Sequence, residues 1–109
     1  MGITKTDQFN TSQNKMAKLA KAIGHPARIA ILEFIIKKNS CICGDIVEEL
    51  PLAQATISQH LKELKEVGLI KGEIEGASIC YCIDEKAWKE AQKTMNKLFD
   101  SYIPGKNCC

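Results

Sequence analysis

The sequence predicts a mainly α domain carrying one small β-hairpin, in the order α-α-α-α-β-β-α. Three observations carry that expectation. Apolar residues recur at three- and four-residue spacing in several segments. Two short alternating runs, Leu69–Ile74 and Ser78–Ile83, face each other across Glu75-Gly76. Glycine and proline punctuate the chain between these stretches, at Gly24, Pro26, Pro51, Gly68 and Pro104-Gly105.

Met16, Leu19, Ala20 and Ile23 define one face of a first helix, broken at Gly24 and His25. Pro26 suits the first turn of a second helix, where its missing N–H has no partner to lose. PARIAILEFIIKK is apolar nearly all round, with Ile29, Leu32 and Ile36 as one stripe and Ile31 and Ile35 as another. It is expected to be the buried central helix, with a turn at Lys37–Ser40 and His25 serving packing or capping. CICGDIVEEL follows, where Asp45 is placed to cap or open a short helix bearing Ile46, Val47 and Leu50, stopped by Pro51. AQATISQHLKELKEVG is a further helix, with Ile57, Leu61 and Leu64 inward and Gly68 at its end. Two short helices joined by a tight turn, the second with a polar leading end, form a helix-turn-helix signature. After the hairpin, DEKAWKEAQKTMNKLFDSY returns to helical spacing through Trp88, Ala91, Met95, Leu98, Phe99 and Tyr102.

At 109 residues, the chain holds one domain (1–104) and a short tail (105–109) that is expected to be flexible. Its 45% apolar and 26% charged residues place it with globular rather than disordered chains. No run reaches the length of a membrane span, and the polar start MGITKTDQFNTSQNK does not read as a signal peptide, so the expected location is the cytoplasm, with no membrane partner. In a reducing compartment the six cysteines read as metal ligands or redox sensors rather than a disulfide framework. They fall as three close pairs: Cys41 with Cys43, Cys80 with Cys82, and Cys108 with Cys109. The net charge of +2 is too small to argue for nucleic acid by itself. Residues 1–28 hold Lys5, Lys15, Lys18, Lys21 and Arg28 against Asp7 alone, whereas acidic residues outnumber basic ones between 29 and 83. Any grip on an anionic partner must therefore come from local placement.

Four strings in order, LAKAIGHPARIAIL, CICGDIVEEL, ATISQHLKELKEVGLI and the hairpin ending YCI, make the chain resemble the ArsR/SmtB family of winged helix-turn-helix regulators over roughly residues 15–100. The resemblance implies a homodimer paired through its first and last helices. It also implies repression at double-stranded operator DNA, with release when a metal or metalloid binds. A recognition helix needs polar side chains outward and apolar anchors behind. With Ile57, Leu61 and Leu64 inward, Thr56, Ser58, Gln59 and Lys62 face out, and Gln54 and His60 lie near the leading edge or flank. Gln pairs bidentately with adenine, and Ser or Thr reaches bases or phosphates. Lys62, Lys65 and the basic first helix are the expected phosphate contacts. The wing departs from the family pattern, because Glu73 and Glu75 stand where cations are expected and Lys71 is the only cation nearby.

Cys41 and Cys43 match the family's Cys-x-Cys metal box at the entry to the third helix. A helix N-terminus nearby lowers thiol pKa and favours the thiolate that soft cations bind. The family's third cysteine is replaced here by Ile46. Since As(III) and Sb(III) commonly take three thiolates, the tail pair Cys108-Cys109, from the same or the partner subunit, is the expected source of the third. A two-sulfur site for an organoarsenical is the alternative. Cys80 and Cys82 share a strand face, as a second metal pair, an oxidisable pair or small half-buried strand residues. The last helix has no histidine, which argues against the His/carboxylate zinc site of some relatives.

The expected function is therefore a repressor induced by As(III) or Sb(III), with no permanent cofactor. Alternatives are a redox- or persulfide-responsive repressor, a Cd(II) or Pb(II) sensor, and a metal-binding module without specific DNA. No triad, phosphate loop or acid/base dyad is present, so no enzyme activity is expected.

Overall fold

Asn10 starts the first helix by a reciprocal cap. Its side chain accepts from the Gln13 amide at 2.7 Å, and the Gln13 side chain accepts from the Asn10 amide at 3.0 Å. In the computed structural model, which describes residues 8–38, 42, 46–75 and 78–105, helix α1 runs Thr11–Ile23. It ends at Gly24, where a Cβ would stand 2.9 Å from the Ala20 carbonyl oxygen. Helix α2 covers Pro26–Lys38, so Lys37 and Lys38, where a turn was expected to begin, are helical, and residues 39–40 lie outside the described residues. Two lysines at its C-terminal end suit the negative pole of the helix dipole, and the helix continues through them.

Helix α3 (Ile46–Glu49) and helix α4 (Gln54–Glu66) form the helix-turn-helix. Gly68 follows α4 with φ of 87°, a left-handed conformation that side chains with a Cβ disfavour, and it turns the chain into the hairpin. Strand β1 (Ile70–Glu75) and strand β2 (Ser78–Ile83) pair antiparallel, with Ile70 opposite Ile83 and Glu75 opposite Ser78. Compared with expectation, β1 is shifted by one residue. Asp84 then caps helix α5 (Glu85–Asp100), accepting from the Ala87 amide at 3.1 Å. The order is the predicted α-α-α-α-β-β-α. Asp45, Gly76 and the tail from residue 106 lie outside the described residues.

Ile31, Leu32 and Ile35 from α2 meet Ile46 of α3, Ile57, Leu61 and Leu64 of α4, and Leu69 and Ile70 at the start of the hairpin. Ile42 joins this core and is tied to β2 by an isolated bridge to Tyr81. Contrary to the expectation of an all-round buried helix, α2 is buried on one side only. Ile29 and Ile36 remain 48% and 51% exposed. Helix α5 buries no residue completely, although Trp88 and Ala91 pack against the core edge.

Leu64 has no exposed surface and sits where α4 meets the rest of the core. Leu64→Ala is expected to lower unfolding free energy by about 2–5 kcal/mol in urea titration, the range for a core leucine lost to a cavity.

Candidate nucleic-acid interface and thiol pairs

Helix α3 closes with the Leu50 amide donating to the Ile46 carbonyl at 3.2 Å, and Pro51 prevents another turn. The Leu52 amide donates to the Leu50 carbonyl at 2.8 Å, which reverses the chain toward Ala53 and α4. Ala53 offers no side-chain cap, so the leading amides of α4 are not satisfied by their own N-cap residue.

The inward stripe of α4 is Ile57, His60, Leu61 and Leu64, at the i, i+3, i+4 and i+7 spacing of one helix face. Its burial leaves Gln54, Thr56, Ser58, Gln59 and Lys62 exposed on the opposite side. Gln59 leans back on Glu63, with Nε2 donating to Oε1 at 3.4 Å. Five of the six residues expected to read DNA are thus accessible. The sixth is not. His60 is 9% exposed and points into the molecule, so its placement at the flank of a reading surface is corrected.

His60 instead meets Arg28, whose Nε donates to His60 Nδ1 at 3.0 Å. A guanidinium only donates, so Nδ1 must carry a lone pair, and the imidazole is neutral with its proton on Nε2. Arg28 also donates through Nη1 to the Ala22 carbonyl at 3.0 Å and pairs through Nη2 with the Glu63 carboxylate. One side chain therefore joins the end of α1, the start of α2 and the middle of α4. The His25 ring lies 4.7 Å from that of His60, and His25 Nδ1 accepts from the Ala27 amide at 3.0 Å, which is the capping role expected of it. Burial first, then the neighbouring His25 and Arg28, hold the His60 pKa below its ordinary value. In the sequence Arg28 stands out only as one of the basic residues of positions 1–28. The available signals were its place in the first turn of an otherwise apolar helix and the His60/Glu63 spacing on α4.

On the wing, Lys71 Nζ lies 3.9 Å from the Glu73 carboxylate, and both are more than half exposed. The pair is weak but it partly offsets the wing's one cation. Cys80 is completely buried and Cys82 is half-buried, and each of them is disulfide-bonded. Cys41, Cys43, Cys108 and Cys109 lie outside the described residues. Among the described residues, no three His, Cys, Asp or Glu side chains come together as a set able to hold a metal ion. None of the described helices is long and apolar enough to cross a membrane.

A family model described as "Bacterial regulatory protein, arsR family" matches residues 25–71. An uncharacterized HTH-type transcriptional regulator of Methanocaldococcus jannaschii is 39% identical over 85 residues, covering 77% of this chain and 94% of that protein. A cadmium resistance transcriptional regulatory protein, a CadC homolog of Staphylococcus aureus, is 29% identical over 87 residues, 79% of this chain and 71% of the relative. The solved structure of an ArsR-like transcriptional regulator from Rhodococcus sp. RHA1 superposes with a TM-score of 0.68 at 18% identity, over 84% of this chain and 85% of that one, and shows the shared fold.

The low His60 pKa gives stability a definite pH dependence. Below the ordinary histidine value of 6.5, the unfolded chain takes up a proton that the folded chain resists, so stability falls as pH drops. The melting temperature is expected to decrease on acidification from pH 7 to 5, and His60→Gln should flatten that slope in a differential scanning series.

Proposed function

Because this chain belongs to the arsR family of bacterial regulatory proteins, a family of transcriptional regulators and not of enzymes, we propose that it represses transcription as a homodimer on double-stranded operator DNA. Capture of trivalent arsenic or antimony by thiolates ends the repression. The observation that carries the reading is α4, whose inward stripe is buried while Gln54, Thr56, Ser58, Gln59 and Lys62 stand exposed. A helix with that division presents polar side chains to a major groove without disturbing its own seat. Gln59 and Gln54 are suited to adenine edges, and Thr56 and Ser58 to bases or phosphates. Lys62, Lys65 and the exposed Lys15, Lys18 and Lys21 of α1 supply phosphate contacts. The uncapped start of α4 adds backbone donors for a phosphate.

The homodimer reading is supported by apolar surface that one chain leaves uncovered. Ile29 and Ile36 border a groove of about 450 Å³ between α1, α2 and α5, lined also by Leu19, Ile23, Trp88 and Met95. Beyond it Leu98, Phe99 and Tyr102 are 51%, 66% and 61% exposed. A second copy laying α1 and α5 against this face would bury all of it. Residues 1–104 then serve as the DNA-binding and dimerisation unit, acting in the cytoplasm.

The inducer reading rests on donor chemistry. Cys41 and Cys43 are two soft donors directly ahead of α3 in the chain, and α3 leads into α4. Their relative in Staphylococcus aureus is named for cadmium resistance, which supports a thiophilic ion as the class. The tail Cys108 and Cys109 are one source of the third sulfur that a trivalent ion takes. A second reading makes the trigger oxidation of thiols, and the disulfide-bonded state of Cys80 and Cys82 favours it. Two thiols and one hydroperoxide would yield a disulfide, an alcohol and water.

Fluorescence anisotropy of reduced protein on a duplex from its own promoter region tests both. Arsenite is expected to release the wild type. Cys41→Ser or Cys43→Ser should bind DNA normally yet ignore arsenite. Release by hydroperoxide but not by arsenite would select the second reading. Gln59→Ala should cost about 1–3 kcal/mol on operator and little on random DNA. Lys62→Ala should weaken both and lower the salt slope by about one.

A further inference from the structure

Arg28 and Gln59 meet at one carboxylate. Arg28 Nη2 pairs with Glu63 Oε2, and Glu63 Oε1 accepts from Gln59 Nε2 at 3.4 Å. Each oxygen thus has its own partner, one toward the interior of the molecule and one on the outward side of α4. The Arg28 and Glu63 side chains are 15% and 36% exposed, and Gln59 is exposed. A chain of contacts therefore runs from the end of α1, through Arg28 and Glu63, to a side chain on the reading face.

The chemistry of that chain fixes how the Gln59 amide is turned. A side-chain amide ends in an oxygen and a nitrogen of similar size, and rotation about its last bond exchanges them. A carboxylate only accepts, so the nitrogen must face Glu63. The carbonyl oxygen and the second N–H are then directed away from it. A contact between residues four apart on a helix surface is weak while both side chains can move. Arg28 takes that freedom from one of them. Its Nε and Nη1 are bonded to His60 Nδ1 and the Ala22 carbonyl, each at 3.0 Å, so the guanidinium grips Glu63 from an anchored position.

The orientation has a consequence for base recognition. In the major groove adenine shows an acceptor, N7, beside a donor, its N6 amino group, whereas guanine shows two acceptors, N7 and O6. An amide offering one N–H and its oxygen matches adenine. Meeting both acceptors of guanine takes two N–H donors, and one of those of Gln59 is committed to Glu63. We propose that Arg28 and Glu63 are positioning residues that hold the Gln59 amide in the orientation that reads adenine and discriminates against guanine. The proposal deepens the reading of α4 as the helix that enters the major groove, and it rests on that reading. Neither residue has to touch DNA. A carboxylate on this helix repels phosphates, so what Glu63 contributes is selectivity and not affinity.

The test uses the full-length reduced protein. Selection from a pool of random duplexes gives the preferred sequence, and fluorescence anisotropy on single duplexes measures each base change. Wild type should favour adenine at a position where Gln59→Ala loses the preference. Glu63→Gln keeps the shape but presents an amide that can donate or accept. It should cut the adenine-over-guanine ratio at that position by at least about fivefold, the low end for a bidentate base contact. Its other base preferences should hold, and its binding to random duplex should match or exceed wild type, since a repulsive charge has gone. Arg28→Lys, which has no planar fork to hold His60 and Glu63 together, should relax the same position. In Gln59→Ala/Glu63→Gln the second change should add nothing there. Circular dichroism melting checks that each variant is folded, and if Arg28→Lys is not, Glu63→Gln decides alone. An unchanged ratio in folded Glu63→Gln, or an equal loss at every position, overturns the proposal. An unchanged ratio in folded Arg28→Lys overturns the part given to Arg28. A selected sequence with no position that Gln59→Ala relaxes also overturns the proposal, and leaves the repressor reading standing. Wild type that selects no sequence overturns both.

Discussion

The seating of α4 on α2 is the contact from which the remaining geometry follows. Ile57, Leu61 and Leu64 enter the core against Ile31, Leu32 and Ile35, and these are among the least exposed side chains of the molecule. Apolar burial is strong but indifferent to rotation, because a stripe of aliphatic side chains packs acceptably over a range of angles. Arg28 removes that freedom. Its bonds to His60, Glu63 and the Ala22 carbonyl are directional, and all three partners lie on other elements. The hydrophobic contact decides that α4 docks and by which face, and the guanidinium fixes its rotation within that seat.

That division of labour explains why a histidine can sit inside a helix otherwise given to polar contacts with a partner. An arginine beside a buried imidazole would be costly if the imidazole were charged. Held neutral, with Nδ1 accepting, His60 satisfies Arg28 without adding a second cation, and Glu63 balances the guanidinium. The polar residues that remain on α4 are then free of structural duty, apart from the long Gln59–Glu63 contact. A surface that does not stabilise the fold is one whose side chains can be given to recognition at small cost to stability.

The wing serves the molecule differently. Its acidic residues and the Lys71–Glu73 pair make it a poor electrostatic partner for phosphates, whereas its inner strand is wired into the core through Ile42 and Tyr81. Strand β2 is bonded on both sides, to β1 through its register and to Ile42 through a single bridge. Alternation along the strand makes this possible, since Cys80 and Cys82 turn their backbone groups toward β1 while Tyr81 turns its own toward Ile42. The hairpin is thereby a link between the segment entering α3 and the helix that follows it.

The periodic features of the fold were legible in the chain itself. Helix spacing, the Pro26 and Pro51 boundaries, the Gly68 turn and the alternating hairpin residues all rest on local stereochemistry, which acts within a few residues and so leaves its mark on the sequence. The outward set on α4 could be derived for the same reason, once Ile57, Leu61 and Leu64 were recognised as its inner face. What local pattern could not decide was which side of a doubly apolar helix finds a partner. Helix α2 carries two stripes, and only the packing shows Ile31 and Ile35 inside with Ile29 and Ile36 left half uncovered. His60 had the same ambiguity at the edge of a stripe, resolved by an arginine 32 residues away. The meeting of Ile42 with Tyr81 is of that kind too. Pairing of one residue with another far along the chain depends on how intervening helices fold back, and neither partner's neighbours carry any trace of it.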